Sequence, residues 1–215
     1  AALVMIGLYV GGMAVGVLAA LFLKSSVLRG RPAPFVMELP NYRLPSARSV
    51  LMLMWEKARD FLQKAFTVIF LATVIIWFLQ SFDSHLNPVQ DSADSLLAII
   101  GRLVAPLFRP LGFSDWRVAT ALITGFTAKE AVISTLGVLL GVGTGELAAA
   151  LPALFTPASA ISFLTFTLLY TPCVAAVATI RRELLSTLRT VGVVIAQCCV
   201  AWVTAGVMYI VAGLL

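Results

Sequence analysis

Long uncharged apolar runs alternate with shorter polar segments along this chain. The uncharged runs cover Ala1–Leu23, Ala65–Phe82, Leu147–Ile180 and Thr190–Leu215. A helix needs about 20 residues to cross the roughly 30 Å hydrocarbon core of a bilayer, and these runs are close to that length or longer. The pattern therefore predicts an all-α polytopic membrane protein, folded as a bundle of helices.

Two of the apolar stretches contain a break in the helical pattern. In the first, the half-helices Val118–Phe126 and Ala131–Leu140 flank a polar centre, and Gly125 interrupts the pattern. In the second, Pro172 removes a backbone donor and clashes with the preceding turn, and a short helix Val174–Ile180 follows. Inside a bilayer, such breaks are tolerated where they are buried in protein or line a water-filled cavity. We therefore predict discontinuous or re-entrant helices, with Gly125 and Pro172 as the break-forming residues.

A cysteine lies at the second break. Proline is favoured at the first position of a helix, so Cys173 is predicted to lie in the first turn of the half-helix that follows Pro172. The free amides and the dipole of that turn stabilise a thiolate, which is a good ligand for metals such as Fe(II). The alternative is a buried, unreactive thiol that packs beside a proline kink.

The first break contains a charged pair in the segment Thr127-Ala128-Lys129-Glu130. A Thr followed three residues later by Glu is the pattern of a capping box, which would hold the start of a helix. A charged pair at membrane depth also marks an ion path, and the two interpretations are compatible. Hydroxyl groups near the breaks either line that path or pack one helix against another. The candidate residues of the path are Cys173, Glu130, Thr124, Thr127, Tyr170 and Thr171.

Composition supports the membrane assignment. The chain is 60% hydrophobic and 12% charged, with a mean hydropathy of +1.01, whereas soluble domains are about half apolar and a quarter charged. The net charge of +5 does not point to nucleic acid, because the positive residues flank the apolar runs, as the positive-inside rule predicts. We therefore expect Lys24–Lys64 and Arg181–Arg189 to be cytoplasmic and the acidic Ser81–Ser95 to be periplasmic.

These observations suggest four successive regions. Residues 1–23 are predicted to form a transmembrane helix and residues 24–60 a cytoplasmic loop with an amphipathic helix at the membrane interface. Residues 61–183 are predicted to hold the discontinuous helices, and residues 184–215 a C-terminal transmembrane helix. The chain opens inside an apolar run, so we expect it to be part of a longer protein. It carries no P-loop motif, and we expect neither enzymatic activity nor a bound cofactor.

Three motifs carry a family resemblance: MELPNYRLPSARSVLMLMWEKARDFLQKAFTVIF, GFSDWRVATALITGFTAKEAVIST and LLYTPCVAAVATIRRE. Together they resemble the ferrous iron transport protein B (FeoB) family over about Phe35–Glu183, in the C-terminal half of its membrane domain. The resemblance implies a second gate domain, which is one half of an inverted repeat related to the nucleoside-transporter fold. It also implies Fe(II) import across the bacterial inner membrane, with Fe(II) as the transported substrate and Cys173 as an iron ligand.

The same resemblance implies what lies outside this chain. The family carries a GTPase domain at its N-terminus, so GTP and Mg would bind there, and this chain alone is not expected to hydrolyse GTP. The implied partners are the lipid bilayer, the N-terminal half of the transporter and small cytoplasmic Feo accessory proteins, with no nucleic acid. One alternative is a transporter of nucleosides or other small solutes with the same gate fold. Another is a scaffold whose amphipathic helix at Ser46–Phe61 docks a soluble partner.

Overall fold

The computed structural model describes residues 2–26, 46–89, 91–143, 145–171 and 173–214, without the side chains of residues 26, 64 and 65. The predicted break-forming residue Pro172 and the polar segment 27–45 lie outside the described residues. The chain divides into two compact units, residues 1–63 and 64–215. Apart from an isolated β-bridge between Phe82 and Pro88, the regular structure of the described residues is helical, as predicted.

The first unit contains helix α1, Ala2–Ser26, and the start of helix α2, Ala47–Ser81. Large apolar side chains are exposed along the whole length of α1, including Leu3, Tyr9 and Phe22. Exposed apolar surface of this extent suits a helix that is surrounded by lipid. Helix α2 is continuous, so the predicted interfacial helix and the span after it form a single element, and the predicted boundary at residue 60 lies inside it.

The second unit contains the rest of α2, from residue 64 to Ser81, then a series of short helices and one long helix. They are joined by 3₁₀ turns at Ser92–Asp94, Ala105–Leu111 and Leu151–Ala153. The helices are α3 Leu96–Val104, α4 Trp116–Thr124, α5 Ala131–Leu140, α6 Leu147–Ala150, α7 Pro157–Leu169, α8 Val174–Leu184 and α9 Thr187–Leu214.

Helices α1, α2 and α9 are long and apolar enough to cross a membrane. Two pairs of shorter helical segments meet the same test of length and hydropathy, but only when the two members of a pair are counted as one span. Leu96–Leu111 bends by 104° into α4, and Leu147–Ala153 bends by 112° into α7. The described residues therefore contain three candidate spans, or up to five if each bent pair counts as one. This arrangement confirms a multi-pass fold with broken helices, although these bends lie upstream of the two breaks that the sequence predicts.

The predicted breaks themselves are also present. Helix α4 ends at Thr124 and α5 begins at Ala131, while α7 ends at Leu169 and α8 begins at Val174. The α8 helix runs to Leu184 and so includes Arg181, Arg182 and Glu183, in which the sequence predicts that it ends. The predicted region boundary at residue 183 therefore lies in the last turn of α8.

An aromatic cluster forms the centre of the second unit. Phe108 stacks on Phe113 with ring centroids 5.5 Å apart and meets Phe166 edge-on at 5.2 Å. Phe163 lies edge-on to Phe113, also at 5.5 Å, and Phe166 stacks on Tyr170 at 5.4 Å. Such pairs add about 0.5–1.5 kcal/mol each beyond their buried area. The cluster joins the 3₁₀ segment after α3 to α7 and so supports the end of α7 at which the second break begins.

Helix α7 packs along α9 through small residues. Ala201 and Ala205 of α9 are fully buried, and the Ser162 hydroxyl donates a hydrogen bond of 2.9 Å to the carbonyl of Ala205. Small side chains let membrane helices approach closely. The contact between α7 and α9 therefore fixes the direction of α7 and the position of its C-terminal end.

A second close approach, between α3 and α4, supplies a stability test. A Cβ at buried Gly101 would collide with the Thr120 side chain and lie 3.0 Å from the Trp116 carbonyl oxygen. We predict that Gly101→Ala costs about 1–3 kcal/mol, as overpacking generally does, and lowers the melting temperature of the detergent-solubilised protein. The control is Gly192→Ala in α9, where a Cβ meets nothing within 4 Å. An equal or higher melting temperature for Gly101→Ala than for the control would contradict the packing.

Candidate functional site

The two helix breaks meet in space. The backbone N–H of Val174, the first residue of α8, donates a hydrogen bond of 2.9 Å to the carbonyl of Phe126, just after the end of α4. Helix starts leave N–H groups without intrahelical partners, and helix ends leave carbonyls without them. The break after α4 thus supplies an acceptor to the break before α8, and the two discontinuities form one site.

Lys129 makes the second connection between the breaks. Its ammonium Nζ donates to the carbonyl oxygens of Thr167 at 3.0 Å, Leu168 at 3.1 Å and Tyr170 at 3.3 Å. It also lies 4.8 Å from the centroid of the Tyr170 ring. These carbonyls belong to the C-terminal end of α7, where they lack intrahelical partners and the helix dipole is negative. Lys129 therefore caps α7 from the other break.

Gly125 lets the breaks approach this closely. It is buried, with φ −60° and ψ −16°, a conformation that any residue adopts. A Cβ at this position would collide with Val132 of α5 and lie 2.6 Å from the Tyr170 hydroxyl. Glycine is thus required here by lack of space, whereas the end of the helix comes from the turn that follows.

The predicted capping box does not form. Glu130 itself is the N-cap residue of α5, it is exposed, and its side chain makes no capping hydrogen bond. The Thr127 hydroxyl instead donates to the carbonyl of Thr124 at 2.7 Å. The reason is local: residues 124–130 form tight turns, so α5 begins one residue after Glu130 and Thr127 lies too far upstream to cap it.

Two other candidate hydroxyls are engaged in packing between helices. The Thr124 hydroxyl is buried and lies 2.9 Å from that of Thr135 in α5, as well as 2.8 Å from the carbonyl of Ala121. Thr171 is buried and contacts α9, with 3.2 Å to the carbonyl of Val194 and 3.0 Å to the sulfur of Cys198. Their contacts hold the elements around the site in place.

Tyr170 lies between the two breaks. It is buried, it is the C-cap residue of α7, and its hydroxyl is 3.5 Å from the carbonyl of Leu122 in α4. Its ring faces Lys129 and its carbonyl accepts from the same ammonium. Tyr170 therefore brings an electron-rich face and a backbone oxygen to the point where the helices break.

Cys173 is half-buried and is the N-cap residue of α8, with φ −57° and ψ 160°. The prediction that it lies in the first turn is wrong by one residue, because α8 begins at Val174 and the backbone of Cys173 is still extended. Its carbonyl accepts the hydrogen bond that starts α8, from Val177 at 3.1 Å. Its thiol makes no capping bond, and it lies near enough to Lys129 for an electrostatic interaction.

The donor groups around the breaks include the Cys173 thiol and the carbonyl oxygens at the end of α7. Within the described part of the chain, no group of three or more His, Cys, Asp or Glu residues could hold a metal ion.

Lys129 is the residue at the breaks whose contacts the sequence interpretation does not anticipate. The sequence places it beside Glu130 as one member of a charged pair, but its partners are carbonyls about 40 residues further along the chain. The available signal was the position of a lysine between two apolar half-helices. A cation at membrane depth needs oxygen partners, and a helix that ends nearby has free carbonyls to offer.

Comparison with known families assigns both parts of the chain. Residues 62–187 match the family model Gate, described as nucleoside recognition. Residues 5–57 match the model described as ferrous iron transport protein B C terminus. The helix breaks, Lys129 and the candidate residues of the path all lie within the Gate match.

Several curated proteins are similar to the chain. An Fe(2+) transporter FeoB of Staphylococcus aureus (strain MSSA476) is 37% identical over 207 residues, which cover 96% of this chain and 31% of that relative. An Fe(2+) transporter FeoB of Methanocaldococcus jannaschii is 35% identical over 189 residues, covering 84% of this chain and 28% of the relative.

A third relative is a fusion protein. The Fe(2+) transport protein A/Fe(2+) transporter FeoB fusion protein of Porphyromonas gingivalis is 32% identical over 257 residues, covering 97% of this chain and 30% of the relative. The chain thus spans about a third of the length of these relatives. No solved structure matches the chain significantly.

The close approach at Gly125 predicts a specific coupling between two substitutions. Gly125→Ala should destabilise the protein by about 1–3 kcal/mol because its methyl group overlaps Val132 and the Tyr170 hydroxyl. Adding Val132→Ala removes one of these obstacles. The double variant should therefore lose less stability than the sum of the single variants, by about 0.5–3 kcal/mol.

The measurement is equilibrium unfolding of the two single variants and the double variant in detergent. Gly206→Ala in α9, where a Cβ meets nothing within 4 Å, serves as the control for adding a methyl group. Additive effects of Gly125→Ala and Val132→Ala, within about 0.5 kcal/mol, would show that the two positions do not compete for space.

Proposed function

This chain belongs to the Gate family and corresponds to the C-terminal part of the membrane region of FeoB, and from this premise we propose that it forms one half of a Fe(II) transport path. Its relatives are named Fe(2+) transporters. Its long apolar helices suit a multi-pass membrane protein. Fe(II) is the transported substrate in this proposal.

The observation that carries the proposal is the meeting of the two helix breaks. At one point they bring together the Cys173 thiol, the carbonyl end of α7 and the ring of Tyr170. A cation that leaves water must find replacement ligands, and discontinuous helices in transporters supply them from unwound carbonyls. A thiolate selects transition metals over Mg²⁺ or Ca²⁺. The combination favours Fe(II) over a hard cation.

The remainder of the transporter provides what this chain lacks. We propose that the full-length protein imports Fe(II) across the bacterial inner membrane with coupling to a GTPase domain, which binds GTP and Mg outside this chain. The chain itself is not an enzyme in this proposal. Following the positive-inside rule, Lys24–Lys64 and Arg181–Arg189 face the cytoplasm and Ser81–Ser95 faces the periplasm. The fusion of a transport protein A to one relative supports small accessory proteins as partners.

A nucleoside carrier is the second candidate, because the matching family model is described as nucleoside recognition. The names of the relatives favour iron as the substrate. The thiol at the break also favours iron, since a nucleoside is bound by amide, hydroxyl and aromatic groups. A thermal-shift comparison separates the candidates. Stabilisation by nucleosides without any effect of Mn(II) would favour the carrier, whereas stabilisation by Mn(II) alone would favour the metal path.

We predict that Cys173→Ser in the full-length protein lowers Fe(II) uptake by at least about tenfold, since even the partners of metal ligands contribute about 10–100-fold to metal affinity. The control is Cys199→Ser, which replaces an exposed cysteine of α9 and should leave uptake unchanged. Uptake is measured in proteoliposomes loaded with an Fe(II) chelator. Normal uptake by Cys173→Ser would remove this thiol from the path.

We predict a smaller effect for Glu130→Gln. An exposed carboxylate at the start of α5 attracts a divalent cation by about 1 kcal/mol at 8 Å in water, so its loss should reduce uptake at low Fe(II) by about fivefold. Glu146→Gln is the matched control, because Glu146 is also an exposed N-cap residue without a side-chain capping bond. Equal uptake by the two variants in the same proteoliposome assay would exclude Glu130 from the path.

A further inference from the structure

The ammonium group of Lys129 has the surroundings of a cation that is completely coordinated by protein. Three carbonyl oxygens lie within 3.3 Å of its Nζ atom, and the face of Tyr170 lies beside it. An ammonium group has three N–H donors, and each has an acceptor here. The end of α7 thus replaces the water shell of a positive charge.

These oxygens would attract another cation if Lys129 were elsewhere. They are the carbonyls that α7 cannot satisfy within itself, and the negative end of the helix dipole adds to their potential. In transporters with discontinuous helices, unwound carbonyls and half-helix C-terminal ends coordinate the transported cation. The lysine therefore occupies a place whose chemistry is that of an ion site.

Further ligands lie close to this place. Cys173, the N-cap residue of α8, lies three residues after Tyr170, whose carbonyl contacts Lys129. The hydroxyl oxygen of Thr167, whose carbonyl already contacts Lys129, is buried without a hydrogen-bond partner, as is the side-chain oxygen of Gln197. Gln197 precedes Cys198, which contacts Thr171 beside the break. Buried oxygens without partners are rare, and the Thr167 hydroxyl belongs to a residue whose carbonyl already contacts Lys129.

We propose that the carbonyl end of α7, together with Cys173, is a divalent-cation site, that Lys129 occupies it with its own ammonium group, and that a metal ion binds only when Lys129 withdraws. This inference deepens the Fe(II) path proposed above and rests on it. Lysine and metal exclude each other for two reasons. Their charges repel, and metal–oxygen bonds of about 2.0–2.6 Å require the carbonyls to close in on the space that Nζ fills.

The consequence is an internal competitor for the transported ion. A metal ion must displace Lys129, so its apparent affinity equals its intrinsic affinity multiplied by the fraction of molecules in which the lysine has withdrawn. Movement of Lys129 also frees the break around Phe126 from the end of α7. Exchange of one cation for the other thus links ion binding to the relative position of the two broken helices.

The test uses the full-length transporter in detergent, with Mn(II) as a redox-stable probe. Reductive methylation of lysines is followed by peptide mass spectrometry with and without saturating Mn(II). The displaced Lys129 should become more reactive, with a rise in methylation of about tenfold. Lys57, an exposed residue of α2, should show no change. Unchanged methylation of Lys129 in a sample that binds Mn(II) would overturn the inference.

A pair of variants gives an independent readout. Lys129→Met keeps the length of the side chain and removes the charge, and it should bind Mn(II) about tenfold more tightly than the wild type. Lys57→Met should bind it equally. Equal or weaker Mn(II) binding by folded Lys129→Met would contradict the proposal. Lys129 also holds two helix ends together. If Lys129→Met does not fold, the methylation measurement on the wild type alone tests the proposal.

The outcomes separate this inference from the function on which it rests. A wild-type protein that neither binds Mn(II) nor takes up Fe(II) would contradict the transport proposal itself. Normal Fe(II) uptake and Mn(II) binding, with Lys129 equally protected in both states, would leave the transport path standing and remove only the competitor role of Lys129.

Discussion

A helix that breaks inside a membrane must find partners for the backbone groups it leaves free, and this constraint organises the second unit. Each unsatisfied group costs several kcal/mol in hydrocarbon. Here the two breaks satisfy each other: Val174 donates to the carbonyl of Phe126, and Lys129 donates to the carbonyl end of α7. Neither break is stable alone in this form, so the discontinuous helices depend on their meeting.

The rest of the second unit brings the breaks to the same place. The aromatic cluster around Phe113 holds α7 against the segment after α3, and the small residues of α9 let α7 lie close to it. Gly125 has no side chain, and this allows α4 to lie close to Tyr170. Close packing leaves these elements little freedom to move, so a displacement of one break requires a displacement of the other.

The charges at the breaks oppose each other in a way that suits transport. In the path that we propose, the Cys173 sulfur and the α7 carbonyls attract a metal ion, whereas the ammonium of Lys129 repels it while protecting the same carbonyls. A site that bound its ion without competition would release it slowly, and conduction needs binding that can be reversed. The local arrangement of one thiol, one amine and several main-chain oxygens therefore balances capture against release.

The sequence by itself determined the class of fold and where the helical pattern is interrupted, because apolar run length acts locally, whereas Gly125 is required by the close approach of Val132 and Tyr170 and does not itself end the helix. The sequence also singled out Cys173, since a thiol beside a proline is visible without coordinates. The capping box that it predicts between Thr127 and Glu130 is wrong, because tight turns precede α5, and it could not identify the partners of Lys129. Those carbonyls lie about 40 residues away, so only the tertiary structure decided that the two breaks meet. Local propensity carries no information about which distant helix end will supply the missing hydrogen bonds.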